Sequence, residues 1–270
     1  MLTRVAIFAG ILLLAFFLFA QLLRHTSMFF PSAYPIGNWN ADAYGLRAED
    51  EWLRTDDGVR LHGWLFRAAD ANAPLIVWFH GNGGNLTDRA PIAAEFARRG
   101  ISVFVFDWRG YGRSEGSPSE SALYRDAMAA ARFAAAHATP DRIVLYGESI
   151  GGPYAAYAAA HAKARCVVIE NSFPSLAAMG NALYRPLPAG WFAPFAMRTT
   201  QWLNDSNLPV LVLHGKHDAV IPFALGMELF DGLRGPKRLF VSDRAGHCEI
   251  PAVEGERYYA AVIDFIRNPR

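Results

Sequence analysis

The pattern of hydrophobic and polar positions along the chain predicts strands and helices that alternate. Pro74–His80 and Ile101–Asp107 are continuous apolar runs, which is typical of strands that are buried on both faces. Further strands are predicted at Val59–Phe66, Arg142–Gly147, Arg165–Glu170, Pro209–His214 and Arg238–Ser242. Helices are predicted at Leu86–Arg99, Ser121–His137, Ile150–His161, Phe223–Leu233 and Val253–Arg267. Such alternation with short connections indicates an α/β domain with a mostly parallel central sheet and helices on both faces.

One segment, at about residues 171–207, interrupts this alternation. It mixes prolines, aromatic residues and short apolar stretches between two predicted strands. We expect a small lid over one end of the sheet, inserted in a single domain that spans residues 51–270. Four of its side chains are candidates for lining an apolar substrate pocket: Phe173, Leu176, Trp191 and Phe192. The alternative is that the segment only packs its own small core.

A long apolar run stands at the N-terminus, ahead of this domain. Val5–Leu23 is 19 residues without a charge, and at about 1.5 Å per residue it spans ~28 Å, close to the hydrocarbon thickness of a bilayer. We predict a membrane anchor at residues 1–24 and a tether at residues 25–50. A cleaved signal peptide is one alternative, although Leu18 and Ala20 make a poor cleavage site, and a buried helix is the other. A short N-terminus usually stays cytoplasmic, which would place the domain on the non-cytoplasmic side.

Composition excludes several other classes of protein. Lys plus Arg is 26 and Asp plus Glu is 25, so the chain lacks the basic excess by which proteins bind nucleic acids, and no nucleic-acid partner is expected. Hydrophobic residues make up 52% of the chain, which excludes disorder. The two cysteines are too few for a disulfide scaffold or a multi-cysteine zinc site.

A candidate nucleophile lies between a predicted strand and a predicted helix. Residues 147–151 read Gly-Glu-Ser-Ile-Gly and fit G-x-S-x-G. In a nucleophile elbow this motif follows a strand and opens a helix, as it does here. The helix N-terminus behind Ser149 favours developing negative charge. We take Ser149 as the nucleophile; the alternative is a glycine-rich turn in which the serine caps the helix.

A serine nucleophile needs a base, and the base needs an acid that holds it. In sheets with this kind of elbow the chain order is serine, acid, histidine, with the acid and the base after later strands. Asp218 follows the strand Pro209–His214, and His247 follows the strand Arg238–Ser242. Glu170 is a competing acid because it also ends a strand.

The loop after the strand at residues 74–80 is a candidate oxyanion hole. Acyl transfer needs two backbone N–H donors near the developing oxyanion. One should come from Ile150, which follows the nucleophile, and the other from the glycine-rich loop, where Asn82 is the first choice and Gly83 the second. A plain turn is the alternative. A phosphate-binding loop would need the Lys-Ser/Thr pair that this loop lacks.

Other reactive residue types have simpler interpretations. Cys166 lies in a predicted buried strand and is expected to be a core residue. Cys248 adjoins His247 but has no base assigned to it, so we do not expect it to be catalytic. Arg109 and Arg113 are expected to fix a loop by hydrogen bonding rather than to bind substrate.

Five motifs in a fixed order resemble one superfamily. They are HGNGGN from His80, DWRGYGRS from Asp107, GESIGG from Gly147, HGKHDAVIP from His214 and GH at Gly246. Together they resemble the α/β-hydrolase superfamily over most of residues 51–270. Within it the chain is similar to membrane-anchored serine hydrolases that are related to monoacylglycerol lipases and protein depalmitoylases. It departs from that group after the last histidine, where Cys248-Glu249 stand instead of Asn or small polar residues.

The resemblance implies a two-step hydrolysis. Ser149 would attack a carboxylic ester or thioester of an apolar acyl substrate, lipids included, while His247 transfers protons and Asp218 holds its imidazole. No metal and no organic cofactor is expected. An aminopeptidase-like hydrolase of short peptides and a non-catalytic binding protein on the same fold stay open as alternatives, although the inserted segment has no clear acidic cluster for a substrate amine.

Overall fold

The computed structural model describes residue 8 and residues 10–11, 29–184, 186, 190 and 197–270. Most of the predicted anchor therefore lies outside the described residues, as do Trp191 and Phe192 of the predicted pocket. Among the residues that are described, none of the helices has the length and apolar character needed to cross a membrane.

The described part of the chain contains a central sheet of eight strands. They are β1 (Glu49–Arg54), β2 (Arg60–Phe66), β3 (Leu75–Phe79), β4 (Ser102–Phe106), β5 (Ile143–Glu148), β6 (Cys166–Glu170), β7 (Val210–Gly215) and β8 (Lys237–Ser242). Their order in the sheet is β8-β7-β6-β5-β3-β4-β2-β1. β2 runs antiparallel to β1 and β4, and all other neighbours are parallel. Two-residue strands also occur at Phe30–Pro31 and Gly83–Gly84. The predicted mostly parallel sheet is confirmed.

Helices follow most of the strands. They are α1 (Ala90–Arg98), α2 (Glu120–His137), α3 (Gly151–His161), α4 (Leu176–Leu183), α5 (Thr199–Ser206), α6 (Phe223–Gly232), α7 (Ile250–Glu254) and α8 (Glu256–Arg267), with 3-10 turns at Leu86–Asp88 and Pro140–Arg142. Ser119 caps α2 by accepting a hydrogen bond from the Ala122 amide. The helix predicted at Val253–Arg267 is two helices, because Gly255 adopts φ 50° between them.

The sheet is buried because both of its faces carry apolar side chains. Val103 and Val105 of β4 lie in one cluster with Phe96 of α1 and Phe265 of α8. Phe104, between those two valines, points to the other face, and its ring centroid lies 4.0 Å from that of Phe133 in α2. Alternate side chains of a strand lie on opposite faces, so a strand covered on both sides needs an unbroken apolar run. This is the pattern from which the strand was predicted.

The domain begins earlier in the chain than the sequence predicted. Residues from Pro31 onward form one compact unit with the rest of the domain. Trp39 and Tyr44 pack against the core, and the Asn85 side chain donates to the carbonyl oxygens of Ser32 and Ile36. From Pro31 onward, the predicted tether at residues 25–50 therefore packs on the domain, mostly as irregular structure that leads into β1. These contacts were not predicted because the segment has no helix-like or strand-like hydrophobic periodicity.

The inserted segment contributes two of the described helices. α5 packs against α3, where the ring centroids of Trp202 and Tyr157 lie 5.2 Å apart. Phe173 is 4% exposed, and Leu176, in the first turn of α4, is half-buried. The role of these two residues in lining a pocket stays a prediction.

Candidate active site

Ser149 lies on a strained turn between β5 and α3. Its φ is 55°, in the left-handed region that most residues avoid. The flanking glycines are required by close packing. A Cβ on Gly147 would lie 2.6 Å from the Cα of Gly152, and a Cβ on Gly151 would clash with the carbonyl oxygen of Phe79. The motif predicted from sequence therefore forms a sharp strand-to-helix elbow.

The end of the neighbouring strand braces this elbow. The amide N–H of Ser149 donates to the carbonyl oxygen of Glu170 at 2.8 Å. The hydroxyl of Ser172 donates to the carbonyl oxygen of Ser149 at 2.8 Å. The unusual backbone of the serine is thus held from both sides, as a strained functional residue requires.

The three residues predicted as nucleophile, base and acid lie in one chain of contacts. His247 Nε2 lies 2.9 Å from Ser149 Oγ, and His247 Nδ1 lies 2.8 Å from Asp218 Oδ2. The second oxygen of Asp218 accepts from the amides of Val220 and Ile221 at 2.9 and 2.8 Å. The carboxylate is therefore fixed by its own loop while its other oxygen faces the imidazole.

One residue of this arrangement was missed by the sequence analysis. Asn171 Nδ2 donates to Asp218 Oδ2 at 2.6 Å, on the same oxygen that faces His247. Burial acts to raise the pKa of Asp218, but the hydrogen bonds from His247 and Asn171 outweigh it, so the pKa lies below its usual range. Asn171 follows β6 directly, and its polar side chain at the edge that carries the other site residues was the available signal.

The structure brings His247 to Asp218 rather than to the competing acid. The carboxyl of Glu170 is buried, and it accepts a hydrogen bond from the Tyr146 hydroxyl, which in turn lies 2.7 Å from that of Tyr258. Burial raises the pKa of Glu170 to about 8. This side chain is enclosed in the core with two tyrosines, whereas the imidazole contacts Asp218.

The loop predicted as the oxyanion hole lies beside the nucleophile. A Cβ on Gly81 would lie 3.3 Å from the Cβ of Ser149. The loop is fixed by two aromatic donors, since the Trp108 indole donates to the His80 carbonyl at 3.0 Å and the Tyr111 hydroxyl donates to Asn82 Oδ1 at 2.9 Å. Burial lowers the pKa of His80 to about 3, so this histidine is neutral.

The predicted oxyanion donors occupy suitable segments. Ile150 directly precedes α3, and Asn82 lies in the loop beside the elbow. Their roles as backbone donors stay predictions. Within the described residues, no group of three or more histidine, cysteine or acidic side chains is arranged to hold a metal ion.

The environments of the two cysteines and of Arg109 indicate structural rather than catalytic roles. Cys166 is buried in β6, and burial raises the pKa of the Cys248 thiol well above its ordinary value, so neither is a thiolate. Arg109 donates to Asp57 and Asp126 at 2.9 and 2.8 Å. It fixes a loop, as predicted.

Comparison with known proteins defines the family. The sequence profile described as "alpha/beta hydrolase fold" matches residues 74–195, and the chain is at least 30% identical to several relatives, of which it covers 81% to 85%. The chain therefore belongs to the α/β-hydrolase family.

Particular relatives and structures show how far this likeness extends. An uncharacterized protein of Mycobacterium tuberculosis is 31% identical over 242 residues, which is 88% of this chain and 85% of that one. Protein bem46 of Schizosaccharomyces pombe is 30% identical over 258 residues, 89% of this chain and 85% of its own. The fold is similar to that of the esterase Pf2001 of Pyrococcus furiosus, with a TM-score of 0.73, 20% identity, and coverage of 90% of this chain and 98% of that one. These relatives and structures show that the α/β-hydrolase fold extends over most of the chain.

Proposed function

We propose that the protein is a serine hydrolase that cleaves carboxylic ester or thioester bonds of apolar acyl substrates. The observation that carries this proposal is the contact chain from Ser149 through His247 to Asp218 on a strained elbow. The similarity to an esterase of Pyrococcus furiosus supports the same class of reaction.

The geometry supports a two-step reaction through an acyl-enzyme. Ser149 Oγ attacks the carbonyl carbon while its proton passes to His247 Nε2. The tetrahedral intermediate then breaks the bond to the leaving alcohol or thiol, which takes that proton. A water molecule gives a proton to His247 and attacks the acyl group, and the released carboxylic acid leaves Ser149 protonated again. Asp218 keeps the imidazole oriented and stabilises its positive charge.

Charge that develops on the carbonyl oxygen needs fixed donors. We assign this role to the backbone N–H groups of Ile150 and Asn82. The helix α3 that starts behind Ser149 adds its positive N-terminal end to the same region. This assignment is supported by the packing of the glycine-rich loop against the nucleophile.

We further propose that residues 1–24 anchor the protein in a membrane, with the catalytic domain on the non-cytoplasmic side. The support is the 19-residue uncharged run Val5–Leu23. An anchored enzyme would meet acyl lipids at the bilayer surface, which fits an apolar acyl substrate. The inserted segment, including Phe173 and Leu176, would form part of the acyl pocket.

A fluorophosphonate probe tests the proposal directly. Such a probe phosphonylates only an activated serine, so the full-length wild type should be labelled and Ser149→Ala should not. Ser121→Ala, which removes an exposed helical serine, is the matched control and should label like the wild type. Labelled protein should sediment with membranes if the anchor exists. An unlabelled wild type, or labelling that survives Ser149→Ala, would overturn the enzyme assignment.

A further inference from the structure

A buried ion pair lies behind the nucleophile elbow. Arg89 Nη2 donates to Oε1 of Glu148 at 2.5 Å, and Arg89 Nε donates to Oε2 at 3.1 Å. The Trp78 indole N–H also donates to Oε2, at 3.1 Å. The side chains of Arg89 and Glu148 are only 12% and 5% exposed. Both oxygens of the carboxylate are therefore fixed by donors from other segments of the chain.

The pair connects two segments of the candidate active site. Glu148 is the last residue of β5 and directly precedes Ser149. Arg89 Nη1 donates to the carbonyl oxygen of Gly83 at 2.9 Å, in the loop assigned to the oxyanion hole. A Cβ on Gly81, in the same loop, would lie 2.9 Å from Glu148 Oε1. One guanidinium thus links the residue beside the nucleophile to the loop that faces it.

The carboxylate of Glu148 also acts on the segment that carries the base. Cys248 directly follows His247 and has a positive φ of 56°. Burial, with the negative charge of Glu148 adding to it, raises the pKa of the Cys248 thiol. The three segments with the proposed nucleophile, oxyanion donors and base therefore meet around one ion pair.

Stability alone does not account for two charges at this position. Burial acts to raise the pKa of Glu148, but its attraction to Arg89 outweighs burial and lowers the pKa to about 2. Both groups are therefore charged at neutral pH. Removing two ions from water is costly, and well-packed apolar residues of similar volume often stabilise a protein as well or better. The directed hydrogen bonds of the guanidinium are what apolar residues could not supply.

We propose that Arg89 and Glu148 are a positioning pair that holds the oxyanion loop at a fixed distance from Ser149. This inference rests on the proposed serine hydrolase function. The pair does not touch the substrate; it acts through Gly83 on the donors that stabilise the tetrahedral intermediate. Its loss should weaken binding of the transition state and leave binding of the ground-state substrate almost unchanged.

Steady-state kinetics of Arg89→Met and Glu148→Gln test this role in the full-length protein. With a p-nitrophenyl acyl ester, kcat per fluorophosphonate-titrated site should fall about tenfold to a hundredfold in each variant, while KM changes little. Arg89→Lys keeps the charge but cannot bond both Glu148 and Gly83 with one planar fork, so it should recover only part of kcat. Arg125→Met removes an exposed ion pair with Asp56, with side chains 50% and 59% exposed, and should retain wild-type kcat.

A boronic acid that forms a tetrahedral adduct with Ser149 supplies a readout that a structural role would not change. Its affinity should fall in parallel with kcat, whereas a simple loss of stability would lower the melting temperature without changing kcat per titrated site. If Arg89→Met does not fold, the nearly isosteric Glu148→Gln decides the question. Wild-type kcat and boronate affinity in folded Glu148→Gln would overturn the positioning role, whereas failure of the wild type to react with the fluorophosphonate would overturn the proposed function itself.

Discussion

The ends of two neighbouring strands each carry a buried glutamate at paired positions, and the two glutamates differ in protonation state. Glu148 of β5 and Glu170 of β6 are paired across the sheet, and both are buried. Arg89 lowers the pKa of Glu148 to about 2. Glu170 instead accepts a hydrogen bond from the Tyr146 hydroxyl, and burial, with the negative charge of Glu148 adding to it, raises its pKa to about 8. The partner therefore decides whether a buried carboxyl is charged.

Because one carboxyl is ionised and the other protonated, the two can have different roles. Glu148 is ionised and organises the loops around Ser149, while Glu170 is held protonated in the core at neutral pH. A third carboxyl, Asp218 after β7, is also ionised, and it is the one that contacts His247. Of the three, only Asp218 combines negative charge with contact to the imidazole.

The largest expected effect on kcat comes from removing the negative charge of Asp218 beside His247. Asp218→Asn should lower kcat about 10³- to 10⁴-fold, because the amide no longer holds the imidazole in the required tautomer or stabilises its charge. Hydrolysis of a p-nitrophenyl acyl ester by the full-length protein is the measurement. Glu170→Gln is the matched control, and its kcat should stay within a few-fold of the wild type. A collapse of kcat in Glu170→Gln with an active Asp218→Asn would reverse the assignment of the acid.

The sequence was sufficient to predict site residues that directly follow a recognisable strand. Ser149 was found from a motif in the setting of a strand and a helix, and Asp218 and His247 from the strand ends that precede them. Strand β1 was missed because it lies at the sheet edge and only Leu53 of its residues is buried, so the sequence EDEWLR has no clear apolar run.

Residues that act through distant contacts could not be found in this way. Arg89 and Glu148 are 59 positions apart, and Asn171 and Asp218 are 47 positions apart. No local pattern distinguishes an arginine after a 3-10 turn from any surface arginine. The pairing depends on the side-by-side order of the strands, which only the structure supplies.

Because Glu170 is buried and protonated, the free energy of unfolding should depend on pH. Between the ordinary glutamate pKa and about 8 the folded protein keeps this proton while the unfolded chain releases it. Stability should therefore fall as pH rises through this range, by about 1.4 kcal/mol per pH unit for one such group, and level off above it. Urea unfolding of Glu170→Gln between pH 6 and 8 should show a shallower slope than the wild type.

Asp107 is a second buried acid, and burial raises its pKa to about 8. It therefore makes the free energy of unfolding depend on pH in both the wild type and Glu170→Gln. The comparison is therefore between slopes rather than between absolute stabilities. Equal slopes for the wild type and Glu170→Gln would mean that Glu170 is already ionised in the folded state, and its contrast with Glu148 would be lost.

The smallest expected effect concerns the hydrogen bond that Asn171 adds to Asp218. Asn171 has φ 46°, so Asn171→Gly removes the amide without backbone strain. Asp218 would keep its contact with His247 and lose one donor on the same oxygen. We expect kcat to fall about fivefold with little change in KM, which corresponds to about 1 kcal/mol, the net contribution of a typical hydrogen bond. Asn207→Gly is the matched control, because Asn207 also has a positive φ of 54° and lies at the end of α5. An equal fall in kcat for both variants would show that the effect comes from the backbone and not from the amide on Asp218.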